Sequence, residues 1–380
     1  MTQGGADYRA DIDGLRAVAV VPVLLFHATI PGFEGGYVGV DIFFVISGYL
    51  IAGIIAREID AGSFSIVHFY ERRARRIMPA LLAVIAAVLV AATFVFLPKD
   101  LIATGKSAAA AALFVSNIWF FATSGYFAAS ADTMPLLHSW SLAVEEQFYI
   151  GFPLLLIAVA RFAPRWRVAI VAACAVASFA MAVATQGNGD GFAFYLSPPR
   201  AWELLVGALL AIGSAPAIRS SFAREALAAA GATAIGIAVL TYTPHTIFPG
   251  VSALLPVLGA AAVIHAGRET RVARLLALRP LVAIGFISYS LDIWHWPIIV
   301  FTEYVTDASV RRWTSVAVIA ASFALAYLSW RFIERPFRDP RRVSRRVIFG
   351  WTLAGMVGTC AAGAAISVAQ DGRSASTHRP

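Results

Sequence analysis

The sequence predicts an all-α protein that crosses a membrane many times, and three observations lead to this prediction. Of its 380 residues, 59% are hydrophobic and 14% are charged, which is more apolar surface than a soluble domain can bury. The apolar residues form long continuous blocks, such as 78–97 and 281–301, of the length that a helix needs to span a bilayer. The basic residues lie between these blocks, as the positive-inside rule predicts.

This distribution of charge also narrows the possible partners. A net charge of +8 would favour nucleic-acid binding in a soluble protein, but here the arginines separate apolar blocks and no nucleic-acid motif is present. Cys174 and Cys360 lie in apolar stretches and have neither metal-ligand nor disulfide spacing. Asp11 and Asp13 stand where a signal peptide carries basic residues, so we expect the first helix to be retained. The expected partners therefore include membrane lipids, but no metal and no nucleic acid.

About eleven helices are expected to cross the membrane, with the N-terminus in the cytoplasm and the C-terminus outside. The arginine-rich clusters all fall on the cytoplasmic side if the apolar segment 108–121 does not cross. We therefore predict that this segment is re-entrant or lies at the outer interface, which is tolerated where the backbone lines a protein cavity. The predicted spans are 15–29, 38–56, 78–97, 142–160, 168–184, 201–212, 226–242, 251–266, 281–301, 313–332 and 347–369.

Polar residues inside these spans are the candidate functional residues, because a charge in the bilayer costs several kcal/mol unless it is paired or lines a wet cavity. Arg16 and His27 lie eleven positions apart on one predicted helix, which places them on the same face at a separation of roughly 16 Å. A neutral histidine can take a proton from a hydroxyl, and the arginine could bind an anionic donor. The positions alone are equally compatible with a packed histidine and an interface-anchoring arginine.

Four arginines, Arg72, Arg73, Arg75 and Arg76, immediately precede the predicted span 78–97. Guanidinium groups bind phosphate oxygens in bidentate fashion, as a nucleotide-bearing donor would require. From charge alone, however, a positive-inside anchor or a lipid headgroup contact is the better interpretation.

Glu145 and Glu146 fall about one turn into the predicted span 142–160, with Tyr149 close by. Two adjacent carboxylates beside aromatic residues indicate a sugar-hydroxyl site or an acid–base residue. The alternative is a favourable charge at a helix N-terminus, but a single carboxylate would serve that purpose.

Further polar residues fall within predicted spans, namely Asp41, Glu203, Asp292 and His295, and Arg200 stands at the outer start of the span 201–212. Asp41 could orient His27 or bind a sugar hydroxyl, and the mid-span pair Asp292 and His295 indicates a cavity. The alternatives are an interfacial cap for Asp41, a local ion-pair network for Arg200 and Glu203, and a helix-to-helix hydrogen bond for the mid-span pair.

Seven motifs follow one another along the chain, together with Arg16 and His27: they are 13–17, 39–50, 69–79, 139–149, 200–207, 288–297 and 332–338. Taken in order, these motifs resemble the membrane-bound acyltransferase family 3, the O-antigen and exopolysaccharide acetylases. The resemblance extends from Tyr8 to about Arg338. It implies transfer of an acyl group, with acetyl as the family's usual one, from cytoplasmic acyl-CoA to a hydroxyl of an extracytoplasmic glycan or glycolipid. Exopolysaccharide and lipopolysaccharide O-antigen are examples of such acceptors. The resemblance also implies that the protein is a multi-pass protein of the bacterial inner membrane.

The resemblance also implies roles for individual residues. His27 would be the catalytic histidine, and Glu145 would act on the acceptor side of the site. Asp292 stands where the family usually has an aromatic residue, which leaves the acceptor open. The residues that would hold the donor acyl-CoA are Arg16, Arg72, Arg73, Arg75 and Arg76. The residues that would bind the acceptor are Asp41, Glu146, Tyr149, Arg200, Glu203 and His295. No metal would be involved.

The same resemblance predicts the domain organisation. Residues 1–340 would form a core of about ten helices, and 341–370 would be an eleventh. In some family members that helix leads to a periplasmic domain, which we expect to be absent or removed here. The last ten residues, 371–380, are polar and predicted to be disordered.

Two other classes of protein remain open. A glycan transporter or flippase would also place polar residues along a substrate path. The absence of a visible inverted repeat weighs weakly against it, and acyl-CoA binding would discriminate, because a flippase has no use for that donor. A membrane-embedded sensor or assembly partner would tolerate exchange of Arg16 and His27.

Overall fold

The protein is described from a computed structural model that covers residues 8–123, 133–189, 191–213, 215–306 and 312–377, and every regular element within them is helical. This confirms the predicted all-α class. The α-helices are α1 (Ala10–His27), α2 (Gly39–Asp60), α3 (Ile66–Val95), α4 (Pro98–Ala112), α5 (Ser116–Thr123), α6 (Ser139–Phe162), α7 (Arg167–Thr185), α8 (Phe192–Tyr195), α9 (Ser197–Ala211), α10 (Ser221–Thr241), α11 (Leu254–Ala266), α12 (Arg271–Leu276), α13 (Arg279–Thr306), α14 (Arg312–Ser329), α15 (Arg335–Arg338) and α16 (Arg345–Thr377).

Eight helical segments in the described ranges are long and apolar enough to cross a membrane, as a polytopic membrane protein requires. Three of the predicted spans fall on helices outside this group. Helix α1 carries Asp11, Asp13 and Arg16, whereas α9 has 15 residues and α11 has 13. At 1.5 Å per residue, the last two helices reach only about 20 Å, less than the roughly 30 Å hydrocarbon core.

Two helices begin earlier than their apolar blocks indicate. Helix α3 starts at Ile66, where the Ser65 side chain accepts a hydrogen bond from the His68 amide, so the arginines at 72–76 lie within this helix instead of before it. Helix α6 starts at Ser139, which places Glu145 about two turns into the helix instead of one. Hydropathy does not detect these starts, because the first turns are polar while the helix continues through them.

The segment 108–121, predicted not to cross as a helix, is divided between α4 and α5. The two helices are separated by a turn at 113–115, where Phe114 has a φ of +55°. A single straight helix therefore does not run through the segment. Its re-entrant or interfacial position remains a prediction.

The chain forms two compact units. The first unit comprises Met1–Phe64 and Gln147–Ser288, and the second comprises Ser65–Glu146 and Tyr289–Pro380. In the first unit α2 packs against α9, α9 against α7, α10 against α11, and α1 against α2. In the second unit α16 packs against α3 and α4.

The last helix, α16, continues to Thr377 and so enters the stretch 371–380 that composition predicts to be disordered. Residues 378–380 lie outside the described part of the chain. Apart from Gly372, the residues 371–377 include no strong helix breaker, so the polar sequence can extend the apolar helix.

Close backbone contact joins α2 to α9 in the first unit. A Cβ atom added at Gly48 would lie 1.9 Å from the carbonyl oxygen of Leu204, and one added at Gly207 would lie 2.0 Å from that of Val45. Small residues at both positions let the two backbones approach, as is common between membrane helices.

We expect Gly48→Ala to destabilise the protein by about 1–3 kcal/mol, because the added methyl group overpacks a backbone contact. The measurement is the thermal unfolding midpoint of the purified protein in detergent. Gly53→Ala is the matched control on α2, because the atoms nearest to its added Cβ are 3.7 Å away. Equal midpoints for the two variants would contradict the close contact.

Candidate functional site

Arg16 and His27 lie on α1, in the first unit, and His27 is its last residue. The Arg16 guanidinium is 3.6 Å from a carboxylate oxygen of Asp13 (Nη1 to Oδ1), and the other Asp13 oxygen accepts a hydrogen bond of 2.8 Å from the Tyr8 hydroxyl. An anionic ligand at Arg16 would therefore share the guanidinium with Asp13.

The backbone after His27 is held in a closed turn. The Thr29 amide donates to the Phe26 carbonyl and the Ile30 amide to the Leu25 carbonyl, at 3.0 and 2.9 Å, which is the hydrogen-bond pattern of a Schellman motif. Glycine usually occupies the left-handed position of this motif, but Thr29 occupies it here with a φ of +55°. A β-branched residue in that conformation is strained by about 1–3 kcal/mol. The turn therefore holds the His27 backbone in place.

A series of aromatic rings leads away from His27 within the first unit. The ring centroid of Phe26 lies 5.1 Å from that of His27 and 5.5 Å from that of Tyr37. Tyr37 in turn lies 5.0 Å from Phe248, edge to face. The Tyr37 hydroxyl donates a hydrogen bond of 3.2 Å to the Thr243 carbonyl, which fixes its ring. We call this continuous series of ring contacts, from His27 to Phe248, the aromatic path.

This path ends at a buried ionic cluster made of Asp41, Arg200 and Glu203. Nη1 of Arg200 lies 3.2 Å from Oδ1 of Asp41 and 2.9 Å from Oε1 of Glu203, and the side chains are 1%, 0% and 0% exposed in that order. The structure thus joins three residues that the sequence predicts for the acceptor site. An ion-pair network was the alternative for Arg200 and Glu203 only, and Asp41 joins it instead of acting as an interfacial cap. The guanidinium also lies 5.4–5.9 Å from the ring centroids of Phe44, Phe248 and Phe194.

The arginine run of α3 belongs to the second unit, and one of its members has protein partners that explain its position. Arg75 donates to Oε1 of Glu71 from Nη2 and Nε, at 2.7 and 3.0 Å, and from Nη1 to the Phe337 carbonyl at 3.2 Å. The second Glu71 oxygen accepts from Nε of Arg345 at 2.5 Å. Glu71 therefore ties α3 to the start of α16 through Arg75 and Arg345. The donor role of Arg75 remains a prediction.

The other arginines of the run have different surroundings. Arg73 is buried with its guanidinium 5.9 Å from the centroid of the Phe69 ring, whereas Arg72 and Arg76 are partly exposed. A donor role for these three residues remains a prediction.

The acidic pair on α6 is divided between two environments. Glu145 is partly exposed, whereas Glu146 and Tyr149 are buried. Because successive residues point about 100° apart around a helix, the two adjacent carboxylates point in different directions. Their roles in catalysis and acceptor binding remain predictions.

His295 lies in the middle of α13 and is fully buried. Its Nδ1–H donates to the Leu291 carbonyl at 3.0 Å, so in the neutral ring Nε2 is the acceptor nitrogen. The ring of His138 lies 6.0 Å away between centroids, and the Trp296 indole donates to the Met134 carbonyl at 2.9 Å. Asp292 lies one turn earlier and is partly exposed.

Sequence reasoning assigned no role to Glu334, which the structure places at the centre of a buried contact set. Glu334 is fully buried and accepts from the Ser290 hydroxyl and the Arg338 guanidinium. It ends a π-helical turn, Trp330–Glu334, between α14 and α15. The sequence feature that could have indicated a role for Glu334 is its position as the acidic residue of the otherwise basic motif 332–338. No group of three or more potential metal-ligating side chains occurs within the described ranges.

Comparisons with known proteins give a consistent result. A family profile described as an acyltransferase domain matches residues 9–331. O-acetyltransferase OatA of Staphylococcus aureus is 32% identical over 87% of this chain and 57% of its own length. Peptidoglycan O-acetyltransferase OatA of Listeria monocytogenes is 33% identical over 89% of this chain and 57% of its own length.

A third relative is matched over more of its own length. The putative membrane-bound transacylase BcsY of Komagataeibacter xylinus is 34% identical over 87% of this chain and 83% of its own length. The chain therefore spans little more than half of the OatA proteins but most of BcsY. No solved structure matches the chain.

Proposed function

Because this chain belongs to the membrane-bound acyltransferase family 3, we propose that it transfers an acyl group, most simply acetyl, to a hydroxyl of an extracytoplasmic glycan. The family profile covers residues 9–331, and the relatives are named for O-acetyl transfer, one of them to peptidoglycan. These names support a polysaccharide as the acceptor class. Peptidoglycan, exopolysaccharide, lipopolysaccharide O-antigen and their lipid-linked precursors are the candidates.

One observation carries the chemical part of the proposal. Arg16 and His27 lie on the same 18-residue helix within the matched segment, and the closed turn at Thr29 holds the histidine end of that helix. An anion-binding group and a proton acceptor are therefore fixed at a set spacing of roughly 16 Å.

The proposed reaction is a direct transfer from acyl-CoA supplied by the cytoplasm. The donor phosphates bind Arg16, and Arg72, Arg73, Arg75 and Arg76 are further candidates. His27 removes the proton from the acceptor hydroxyl, whose oxygen attacks the thioester carbonyl. The carbon–sulfur bond breaks, and the thiolate of coenzyme A takes the proton back from the imidazolium. Transfer through an acyl-histidine would use the same groups in two steps.

We place the protein in the bacterial inner membrane, with the donor on the cytoplasmic side. The arginine-rich segments support this orientation through the positive-inside rule. The acyl group would then cross the membrane during transfer while the nucleotide stays behind.

The proposal is tested with inside-out membrane vesicles from cells that express the protein or lack it. Acetyl-CoA labelled in its acetyl group is added outside, and label is measured in the glycan fraction after unreacted donor is removed. We expect label in the glycan only when the protein is present. Glycan export that depends on the protein without any transfer of label would instead indicate a transporter.

A further inference from the structure

An arginine-lined cavity of about 400 Å³ lies in the second unit, at the C-terminal edge of the matched segment and beyond it. None of the residues predicted for the donor or acceptor site lines it. The lining residues are Arg331, Arg335, Pro336, Arg338, Asp339 and Arg342.

The charges around this cavity do not balance. Glu334 pairs with Arg338, and Asp339 lies 3.5 Å from Arg342. The two remaining arginines, 331 and 335, contact aromatic rings: their guanidinium carbons lie 5.6 Å from the centroid of Phe332 and 5.8 Å from that of Trp330. Among the residues that the structure describes, neither has a carboxylate within ion-pair distance. Two positive charges therefore face the cavity without a counter-charge.

The backbone that presents these arginines is unusual and firmly held. Residues Trp330–Glu334 form a π-helical turn. Such turns are rare in proteins, and those that occur are frequently found at functional sites. Glu334, at its end, is fully buried and is fixed by Ser290 on α13. Because Glu334 also binds Arg338, the buried carboxylate sets the position of one wall of the cavity.

We propose that this cavity binds a phosphate group carried by a larger molecule. Guanidinium forks bind phosphate oxygens in pairs, and two of them lack carboxylate partners here. The volume lies within the range of small-molecule sites, roughly 300–1,000 Å³, and so leaves room for the moiety that carries the phosphate.

Two molecules supply a phosphate group at the cytoplasmic face of the membrane, where the positive-inside rule places the arginines. One is coenzyme A, through its nucleotide phosphates, and the other is an anionic phospholipid, through its headgroup. The binding site is the same in both cases, and the experiment separates the two sources.

The test uses the full chain in phosphatidylcholine nanodiscs and two probes. The first probe is labelled coenzyme A, with dephospho-coenzyme A as competitor, and the second is phosphatidylglycerol retained by the protein in native mass spectrometry. The test variant is the double substitution Arg331→Gln with Arg335→Gln. Its matched control is Arg341→Gln with Arg346→Gln, which removes two exposed arginines of the same region that do not line the cavity.

We expect the cavity variant to lose affinity for one probe by about tenfold or more, because hydrogen bonds to charged groups are removed, while the control binds as wild type. Loss for coenzyme A identifies the nucleotide, and loss for phosphatidylglycerol identifies the lipid. A second variant, Arg331→Lys with Arg335→Lys, keeps the charge without the fork and should fall between the two. Wild-type binding of both probes by the cavity variant, or equal loss in the control, would overturn the proposal. Neither result depends on acyl transfer.

Discussion

Replacement of His27 by alanine is expected to lower acylation of the glycan by about 100-fold or more, because the group that accepts the hydroxyl proton is removed. The protein should remain folded, since His27 is partly exposed at the end of α1 and the closed turn after it depends on backbone hydrogen bonds. The measurement is mass spectrometry of the glycan from cells that lack the gene and are complemented with wild type or with His27→Ala.

His245→Ala is the matched control, because His245 is an exposed histidine of the same unit. It should restore the acyl mass as wild type does. Full restoration by His27→Ala as well would leave the enzyme class intact and remove His27 from the reaction. Comparable amounts of the two variants in the membrane must be shown, so that loss of acylation is not loss of protein.

The sequence was sufficient for those features that depend on local pattern. Apolar blocks predicted the helical membrane class, and the spacing of Arg16 and His27 placed them on one helix, which α1 confirms. Helix starts were less accurate where the first turns are polar, as in α3. There the apolar block marked only part of the helix.

Other features depend on contacts between distant segments or on backbone conformation, which no local pattern encodes. Asp41 and Arg200 are far apart in the chain, so their ion pair follows from the packing of α2 against α9. A left-handed Thr29 is unexpected because the position favours glycine. The π-helical turn before Arg335 changes which arginines share a surface, and only the structure shows this.

The largest expected effect on stability comes from Arg200→Met. This change removes the guanidinium that lies between the carboxylates of Asp41 and Glu203, all of them 1% exposed or less. A buried charge left without its partner destabilises a protein by about 3–5 kcal/mol. We therefore expect a large drop in the unfolding midpoint of the purified protein in detergent, or failure to accumulate in the membrane.

Arg224→Met is the matched control, because Arg224 pairs with a largely exposed Glu269 at 2.6 Å. Exposed ion pairs contribute about 1 kcal/mol or less, so this variant should unfold close to wild type. If Arg200→Met unfolds no earlier than the control, the buried carboxylates do not depend on the guanidinium for their charge balance.

A triple variant then separates a structural role of the cluster from a role in acceptor binding. Asp41→Asn and Glu203→Gln, combined with Arg200→Met, leave no buried charge at the site, and neutral replacements of buried ion pairs often regain stability. A stable triple variant that still acylates the glycan would make the cluster a helix-to-helix connection. A stable triple variant that no longer acylates the glycan would support the predicted acceptor role. In that case the fold would be intact, and the only loss would be the charged groups of Asp41, Arg200 and Glu203 at the end of the aromatic path.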